Sequence, residues 1–547
     1  MPSQREMWDR LGGEADLLVV GGGITGTGIA RDAAMRGLRV VLVEAVDFAY
    51  GTSSRSSKLV HGGLRYLEQR ELGLVFEAVS ERRILMDIAP HLVHPLGFLF
   101  PVFKDSRQPL WMINAGLWLY DGLSLFRSPR IHQRYNARQA SEVEPLLRTD
   151  GLQGAPLYYD CATDDARLTL ENALDAARLG AVVVNRARVV GFLKDEAGRV
   201  RGAVVEDVDS GELKQVHAAT VVNATGPWTD RVVALSAPPT HALLRPTKGI
   251  HIVVPHARLP VRYAVVVMHP GDGRVLFAIP WGDQTYVGTT DTDFEGDPAD
   301  VAATAEDVDY LIAAVNAYFP TSGVTRDDVQ ATWAGLRPLI APPSDEALAE
   351  SSVSREHAII VGQDGLITIA GGKLTTYRRM AAEVVDTAVK LLRLTNRLQT
   401  RLQNADTDSE PLPGAVGWPE DDDPSRLISQ VKAVGGERMA DDTARHLVSL
   451  YGTRALDLAK LARDDDALAE RLAPGRPEIM AQVDHAVREE LAGDVADVMV
   501  RRTQVFYRSP DQGLGATDRV AARMAALLGW SEARAQASAD AYRDEVA

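Results

Sequence analysis

Three glycines and one acid carry the first chemistry legible in this chain. Gly21, Gly23 and Gly26 lie in Val19-Val20-Gly21-Gly22-Gly23-Ile24-Thr25-Gly26-Thr27-Gly28, and Glu44 closes Val40-Val41-Leu42-Val43-Glu44. This residue set holds a dinucleotide. Gly21 serves a tight turn, Gly23 lets a pyrophosphate approach the main chain, and Gly26 lets the following helix pack closely on the strand. The helix N-terminus then faces the phosphates with its N–H groups. Glu44, at the end of the next strand, is placed to accept hydrogen bonds from a ribose hydroxyl pair. The turn alone does not choose between FAD and NAD. A flavoprotein oxidised by a nicotinamide needs a second such turn in a second βαβ unit, and the chain has none. That points to one tightly held FAD, whose electrons leave to a quinone, to oxygen or to another protein.

Other residues sit where they could act on a substrate. Thr52-Ser53-Ser54-Arg55-Ser56-Ser57-Lys58-Leu59-Val60-His61-Gly62-Gly63 clusters hydroxyls and glycines, as a loop along a cofactor does; a serine-rich surface turn is the alternative. Gly371-Gly372 follows the apolar run Leu366–Ala370 and opens a helix through Met380 and Val384, a second helix N-terminus where a cofactor could meet it. Lys373 stands at that start, where the helix dipole disfavours a cation unless something negative faces it. Histidine, with an ordinary pKa near ~6.5, suits proton removal at neutral pH. His251 is the candidate base and His61 its competitor; a structural histidine in an apolar strand is the alternative for the former. Cys161 is the single cysteine, which excludes an intramolecular disulfide and a Cys-rich metal site, so no metal is expected.

These groups need a scaffold of several parts. A chain of 547 residues exceeds one hydrophobic core and implies roughly three domains. Its net charge of -16 argues against non-specific nucleic-acid binding. The start, Met1-Pro2-Ser3-Gln4-Arg5-Glu6, lacks the apolar core of a secretory signal, and no run approaches the ~20 apolar residues of a membrane span, so a cytoplasmic location is expected. The aromatic region from Leu92 to Phe126, broken by Pro95, Pro101 and Pro109, is core, a partner surface or a membrane-contacting face. Residues Leu243 to Phe294 are rich in valine, isoleucine and aromatics and predict an antiparallel sheet forming a substrate lid. The stretch 404–424 is acidic and proline-rich, a linker composition. Beyond it, Val483, Val487 and Leu491, then Val520, Met524, Leu527 and Leu528, recur at helical spacing.

The motifs at Gly21–Gly37, Ser56–Glu68 and Gly371–Ala381, with Asn223–Trp228, Lys248–Pro255 and Gly335–Leu339, resemble those of the FAD-dependent sn-glycerol-3-phosphate dehydrogenases over most of the first four hundred residues. The resemblance implies an α/β + α fold: a Rossmann-like FAD-binding domain, an antiparallel-sheet substrate (cap) domain and a C-terminal helical domain. The oxidoreductase region is expected over 1–403, with FAD-binding parts at about 14–90, 150–235 and 355–400 and cap parts at about 91–149 and 240–354; the helical domain is expected over 425–547. It implies non-covalent FAD held by Gly21, Gly23, Gly26, Glu44, Thr52, Ser53, Ser57, Lys58, Leu59, His61, Val189, Gly226, Gly372, Leu374 and Thr375. It also implies substrate contacts from Arg65, Tyr66, Arg337, Arg355 and Lys373, with His251, Lys373 and Arg337 in the chemistry. Arginine's planar fork suits the phosphate oxygens. The activity implied is oxidation of glycerol 3-phosphate to dihydroxyacetone phosphate with electrons passed to a respiratory quinone at the cytoplasmic membrane surface, by a peripherally attached homodimer. An oxidase yielding hydrogen peroxide and a non-catalytic flavin-containing interaction protein remain alternatives.

Overall fold

The computed structural model describes residues 3–64, 71–124, 130–237, 241–341, 357–398 and 401–547. Two sheets organise the first four hundred. In the first, the strands run in the order His357–Val361, Ile367–Gly371, Leu213–Asn223, Ala15–Val20, Val40–Val43, Val182–Val184, and all but the first are parallel to their neighbours. Ala15–Val20 is buried at every residue, as a parallel strand covered on both faces must be. The helix Ile24–Met35 lies between the helices Asp165–Arg178 and Tyr377–Leu394 on one face, and Ile29, Ala33, Leu170, Ala173, Met380 and Val384 fill the space beneath. This is the expected Rossmann-like half.

The second sheet has eleven strands among the described residues. It runs Thr292–Asp293, Leu244–Pro255, Gln284–Gly288, Val275–Trp281, Ala264–Met268, His94–Leu99, Leu152–Ala162, Leu59–Val60, with Ala331–Ile340 along the other side of Leu244–Pro255. The antiparallel ladder predicted between Leu243 and Phe294 is present, and one pair, Ala264–Met268 with His94–Leu99, is parallel. Leu152–Ala162 and Leu59–Val60 come from stretches read as FAD-binding, yet they pair in this sheet. Leu152–Ala162 is buried along almost its whole length and takes partners on both edges, so it serves as a central strand.

The aromatic region divides. Phe98, Phe103 and Tyr120 are buried, whereas Trp111 is 68% and Trp118 49% exposed on the helix Leu110–Leu123. That helix is apolar around more of its circumference than the core can cover.

The stretch 404–424 is not the solvated linker its composition predicts. The buried Arg31 guanidinium donates to the carbonyls of Thr407 and Glu410, Leu412 is fully buried, and the Gly414 N–H donates to Glu171 Oε2 at 2.9 Å. Its backbone supplies acceptors to a buried cation, so it is fastened where sequence composition alone expects freedom. The helices that follow, among them Asp441–Tyr451, Ala481–Glu490 and Thr517–Leu528, bury Val483, Val487, Val520 and Met524 as their spacing predicts. Leu491 instead ends its helix in the left-handed conformation, and Leu528 is exposed. Among the described residues no helix is long and apolar enough to cross a membrane.

Candidate active site

The glycine turn is shaped by contacts that a side chain would destroy. Gly21 has φ +109°, and a Cβ there would lie 2.6 Å from the Ala224 carbonyl oxygen; one at Gly26 would lie 1.9 Å from the Gly21 carbonyl oxygen. Around Gly23 only Ser53 Oγ comes near among the described residues, 3.2 Å from where a Cβ would stand. The backbone is thus packed behind the turn and accessible in front of it, which is the cradle a pyrophosphate requires. Ser53 Oγ accepts the N–H of Ile24 at 3.0 Å. Glu44 accepts the N–H groups of Gly22 at 2.6 Å and Val46 at 2.9 Å. Burial raises the pKa of its carboxyl, opposed by those two donors, and the remaining lone pairs suit hydroxyl donors such as those of a ribose. The Ala187 N–H donates to the Glu44 carbonyl, so the strand Ala187–Lys194 and its Val189 sit beside the same end of the site.

From Thr52 onward the loop is pinned against the cap sheet. Thr52 Oγ1 donates to the Leu336 carbonyl at 2.6 Å, Trp333 Nε1 to Ser56 O at 3.2 Å and Tyr286 Oη to Ser57 O at 2.9 Å. Lys58 is fastened inside the protein by its side chain. Its buried ammonium donates to Asp165 Oδ1 at 2.7 Å and to Ser54 O at 3.0 Å, so its charge is spent inside the protein. Leu59 is buried in its short strand opposite Ala162. The hydroxyl of Thr375 accepts from the His61 N–H at 3.1 Å and donates to the His61 carbonyl at 3.2 Å. That bridge ties the loop to the second glycine turn, where Gly372, half-buried Lys373 and Leu374 lead into the helix Tyr377–Leu394. Gly226 opens the short turn after Leu213–Asn223, next to the first glycine turn on the neighbouring strand.

His251 and Arg337 project from adjacent strands of the cap sheet, where His251 pairs with Trp333 across the ladder and with Gly288 on the other side. A Cβ at Gly288 would lie 2.1 Å from the imidazole, so glycine is required there. The His251 ring stacks on Trp333 at 4.5 Å with a 12° tilt, its Nε2 lies 2.9 Å from Ser57 Oγ, and its Nδ1 has no hydrogen-bond partner among the described residues. Burial first, then the cations of Arg337 and Lys58, push its pKa well below the usual value. The ring is therefore neutral at neutral pH and able to accept a proton. Arg337 donates to Asp291 Oδ1 at 2.9 Å, Thr289 Oγ1 at 3.2 Å and the Thr290 carbonyl at 3.1 Å. These three acceptors aim a partly exposed guanidinium, with its side chain 23% accessible.

Arg65, Tyr66 and Arg355 lie outside the described residues. Sequence reasoning missed Asp291, Trp333 and Asp165, which orient Arg337, His251 and Lys58 respectively; no local pattern marks any of them.

Residues 16–378 match the family model of FAD dependent oxidoreductases, and residues 405–535 match that of the C-terminal domain of alpha-glycerophosphate oxidase. The chain is 41% identical over 536 residues to glycerol-3-phosphate dehydrogenase 2 of Mycobacterium tuberculosis, covering 97% of this chain and 88% of that protein. It is 38% identical to the aerobic glycerol-3-phosphate dehydrogenase of Staphylococcus haemolyticus, covering 95% and 92%. The crystal structure of glycerol-3-phosphate dehydrogenase from Bacillus halodurans complexed with FAD superposes with a TM-score of 0.81 at 34% identity, covering 100% of this chain and 98% of that one.

Proposed function

Because the chain belongs to the FAD-dependent glycerol-3-phosphate dehydrogenase family, we propose that it oxidises sn-glycerol 3-phosphate to dihydroxyacetone phosphate and passes the electrons to a membrane quinone. The observation that carries this reading is geometric: His251, stacked on Trp333, and Arg337, aimed by Asp291, Thr289 and Thr290, stand on adjacent strands of the sheet against which the loop from Thr52 is pinned. Bound FAD supplies the hydride acceptor, N5 of its isoalloxazine.

The chain's residues do the rest. Arg337, with Arg65, Tyr66 and Arg355, holds the substrate phosphate, for which a planar fork is the fitting donor. His251 accepts the proton of the alcohol whose carbon loses the hydride, Ser57 and Trp333 holding the ring in position. Lys373, at the start of a helical segment, stabilises the negative charge that develops on the cofactor or the substrate oxygen. The number of arginines expected at the site, Arg65, Arg337 and Arg355, favours a phosphate dianion over the single carboxylate of an amino acid, and a histidine and an aimed arginine on adjacent strands favour turnover over a scaffold.

The test is anaerobic absorbance of the purified holoprotein. Glycerol 3-phosphate should bleach the flavin bands and a soluble quinone should restore them; flavin that stays oxidised sinks the reading. Peroxide formed in air at the rate of substrate loss would instead assign the acceptor to oxygen.

Reaching a quinone calls for a peripheral membrane contact on the cytoplasmic face. The surface suited to it is the helix Leu110–Leu123, where Trp111, Met112, Trp118 and Leu119 are exposed beside Phe76 of the helix Leu72–Ile88. Exposed Lys104, Arg107 and Arg134 lie in its surroundings, Arg134 against the Trp118 ring at 5.7 Å. Apolar side chains among cations match an anionic lipid surface. The protein should float with vesicles containing anionic lipid and W111S/W118S should not; equal flotation of the two would remove this surface from consideration. A homodimer, the remaining part of the reading, is checked by light scattering on the detergent-free protein.

A further inference from the structure

None of the roles above draws on the C-terminal helices, yet that domain reaches the cofactor loop. Arg501 and Arg502, at the end of the helical segment Asp497–Arg502, share the carboxylate of Asp47: Arg501 Nε donates to Oδ2 at 2.6 Å, Arg502 Nη1 to Oδ2 at 2.8 Å and Arg502 Nη2 to Oδ1 at 2.8 Å. All three side chains are at most 2% exposed. Burial alone would push the Asp47 carboxyl up; Arg502 and Arg501 more than offset it and hold it at about 2, so Asp47 is ionised throughout the working pH range. Asp47 stands three residues after Glu44, at the head of the loop that carries Thr52, Ser53 and Ser57.

The far half of the same loop is held by Tyr507. Its hydroxyl donates to the Ser54 carbonyl at 3.3 Å, and its ring lies 4.9 Å from the Lys58 ammonium. Between the two anchors the Ala49 N–H donates to the Gly22 carbonyl of the glycine turn. The loop is therefore gripped at its head and toward its far end by one domain and touches the dinucleotide cradle between them. A buried ion cluster is a weak device for stability, since apolar residues of equal volume do as well, but it fixes geometry to hydrogen-bond tolerance.

We propose that the C-terminal domain is part of the cofactor-holding apparatus: Arg501, Arg502 and Tyr507 are positioning residues that clamp the loop Asp47–Lys58 against the FAD site and set how tightly FAD is retained. The clamp acts on the cofactor and not on the substrate, so flavin that failed to bleach with glycerol 3-phosphate would leave it standing.

The experiment compares full-length R502Q, R502K and Y507F with the parent. Each is stripped of FAD, its apoprotein melting is followed by circular dichroism, and FAD is titrated back by flavin fluorescence. The expected result is an FAD Kd raised about tenfold in R502Q and about threefold in Y507F, with R502K between R502Q and the parent; apoprotein melting temperatures of Y507F and R502K stay within about 3 °C of the parent, while R502Q, which leaves Asp47 buried with one cation fewer, melts lower. Parental FAD affinity in R502Q and Y507F overturns the proposal. So does an affinity loss in Y507F and R502K that only follows a matching loss of apoprotein stability, the signature of a general structural role. If R502Q does not fold, Y507F, which deletes one hydroxyl, decides alone: parental affinity overturns the proposal and weakened affinity on a stable apoprotein supports it.

Discussion

Arg337→Gln should lower the second-order rate constant for flavin reduction by glycerol 3-phosphate about 10³-fold. The guanidinium is held by Asp291, Thr289 and Thr290 with part of its surface open to the site. Removing one partner of a desolvated charge pair costs about 4 kcal/mol, and each 1.4 kcal/mol is a factor of ten in rate. Arg337→Lys should recover little of it, because one ammonium cannot satisfy three protein acceptors and a phosphate together. The same substitution carries a pH signature. After burial, Arg337 is the largest influence pushing the His251 pKa down. Without it that pKa rises, so the acid limb of the reduction profile moves to higher pH in Arg337→Gln. In the parent the rate should hold down to well below pH 6.5. Anaerobic stopped-flow absorbance from pH 5 to 9, in steps of about half a unit, reads both effects. A parental rate in Arg337→Gln would remove this arginine from the phosphate clamp, and an unmoved acid limb would remove His251 as the base.

Gly26→Ala should disturb the fold of the nucleotide half and weaken FAD binding about 100-fold or more, whereas Gly23→Ala should fold normally and bind FAD weakly. A methyl at position 26 would lie 1.9 Å from the Gly21 carbonyl oxygen. Backbone, not a mobile side chain, is what it meets, so the helix Ile24–Met35 must move off the strand Ala15–Val20 and carry the phosphate-facing N–H groups with it. Overpacking of this kind costs about 3 kcal/mol or more, which corresponds to about a 100-fold loss of affinity. At position 23 the one neighbour among the described residues is Ser53 Oγ at 3.2 Å, which can rotate away. There the methyl obstructs the approach to the main chain and not the packing. The ratio of flavin to protein absorbance after gel filtration, read beside the melting temperature, separates the cases. Gly26→Ala that retains stoichiometric FAD would refute the close-packing argument. Gly23→Ala with parental affinity would show that the pyrophosphate does not pass there.

How much was legible beforehand follows the range of each interaction. The turn at Gly21–Gly26 with Glu44, and the second turn at Gly371–Gly372, are encoded within one strand, one turn and one helix, and local periodicity reveals them. The cap ladder between Leu243 and Phe294 is likewise a run of neighbouring strands joined by short turns. The interiors of the C-terminal helices show the same locality in Val483, Val487, Val520 and Met524. His251 and Arg337 were found through the motifs around them, without the partners that make them useful.

What local pattern does not reveal shares one cause. Lys58 meets Asp165 across 107 positions, and Arg502 meets Asp47 across 455. A buried ion pair leaves no mark near either residue, because any carboxylate of the right height on the facing element would serve. Proline and acid content made 404–424 resemble a linker, but whether its carbonyls meet water or Arg31 depends on what packs beside it. Phe98 and Trp111 are equally apolar, and only the placement of the sheet decides which of them is covered. The sequence by itself thus determined the nucleotide cradle and the cap ladder, because backbone dihedrals and side-chain period are local properties, and its long motifs carried the resemblance to the family. The tertiary structure alone decided that Lys58 is buried on Asp165 while Arg337, held on Asp291, stays partly exposed, and that the C-terminal helices reach the loop Asp47–Lys58, because burial and charge pairing depend on distances that only the folded chain sets.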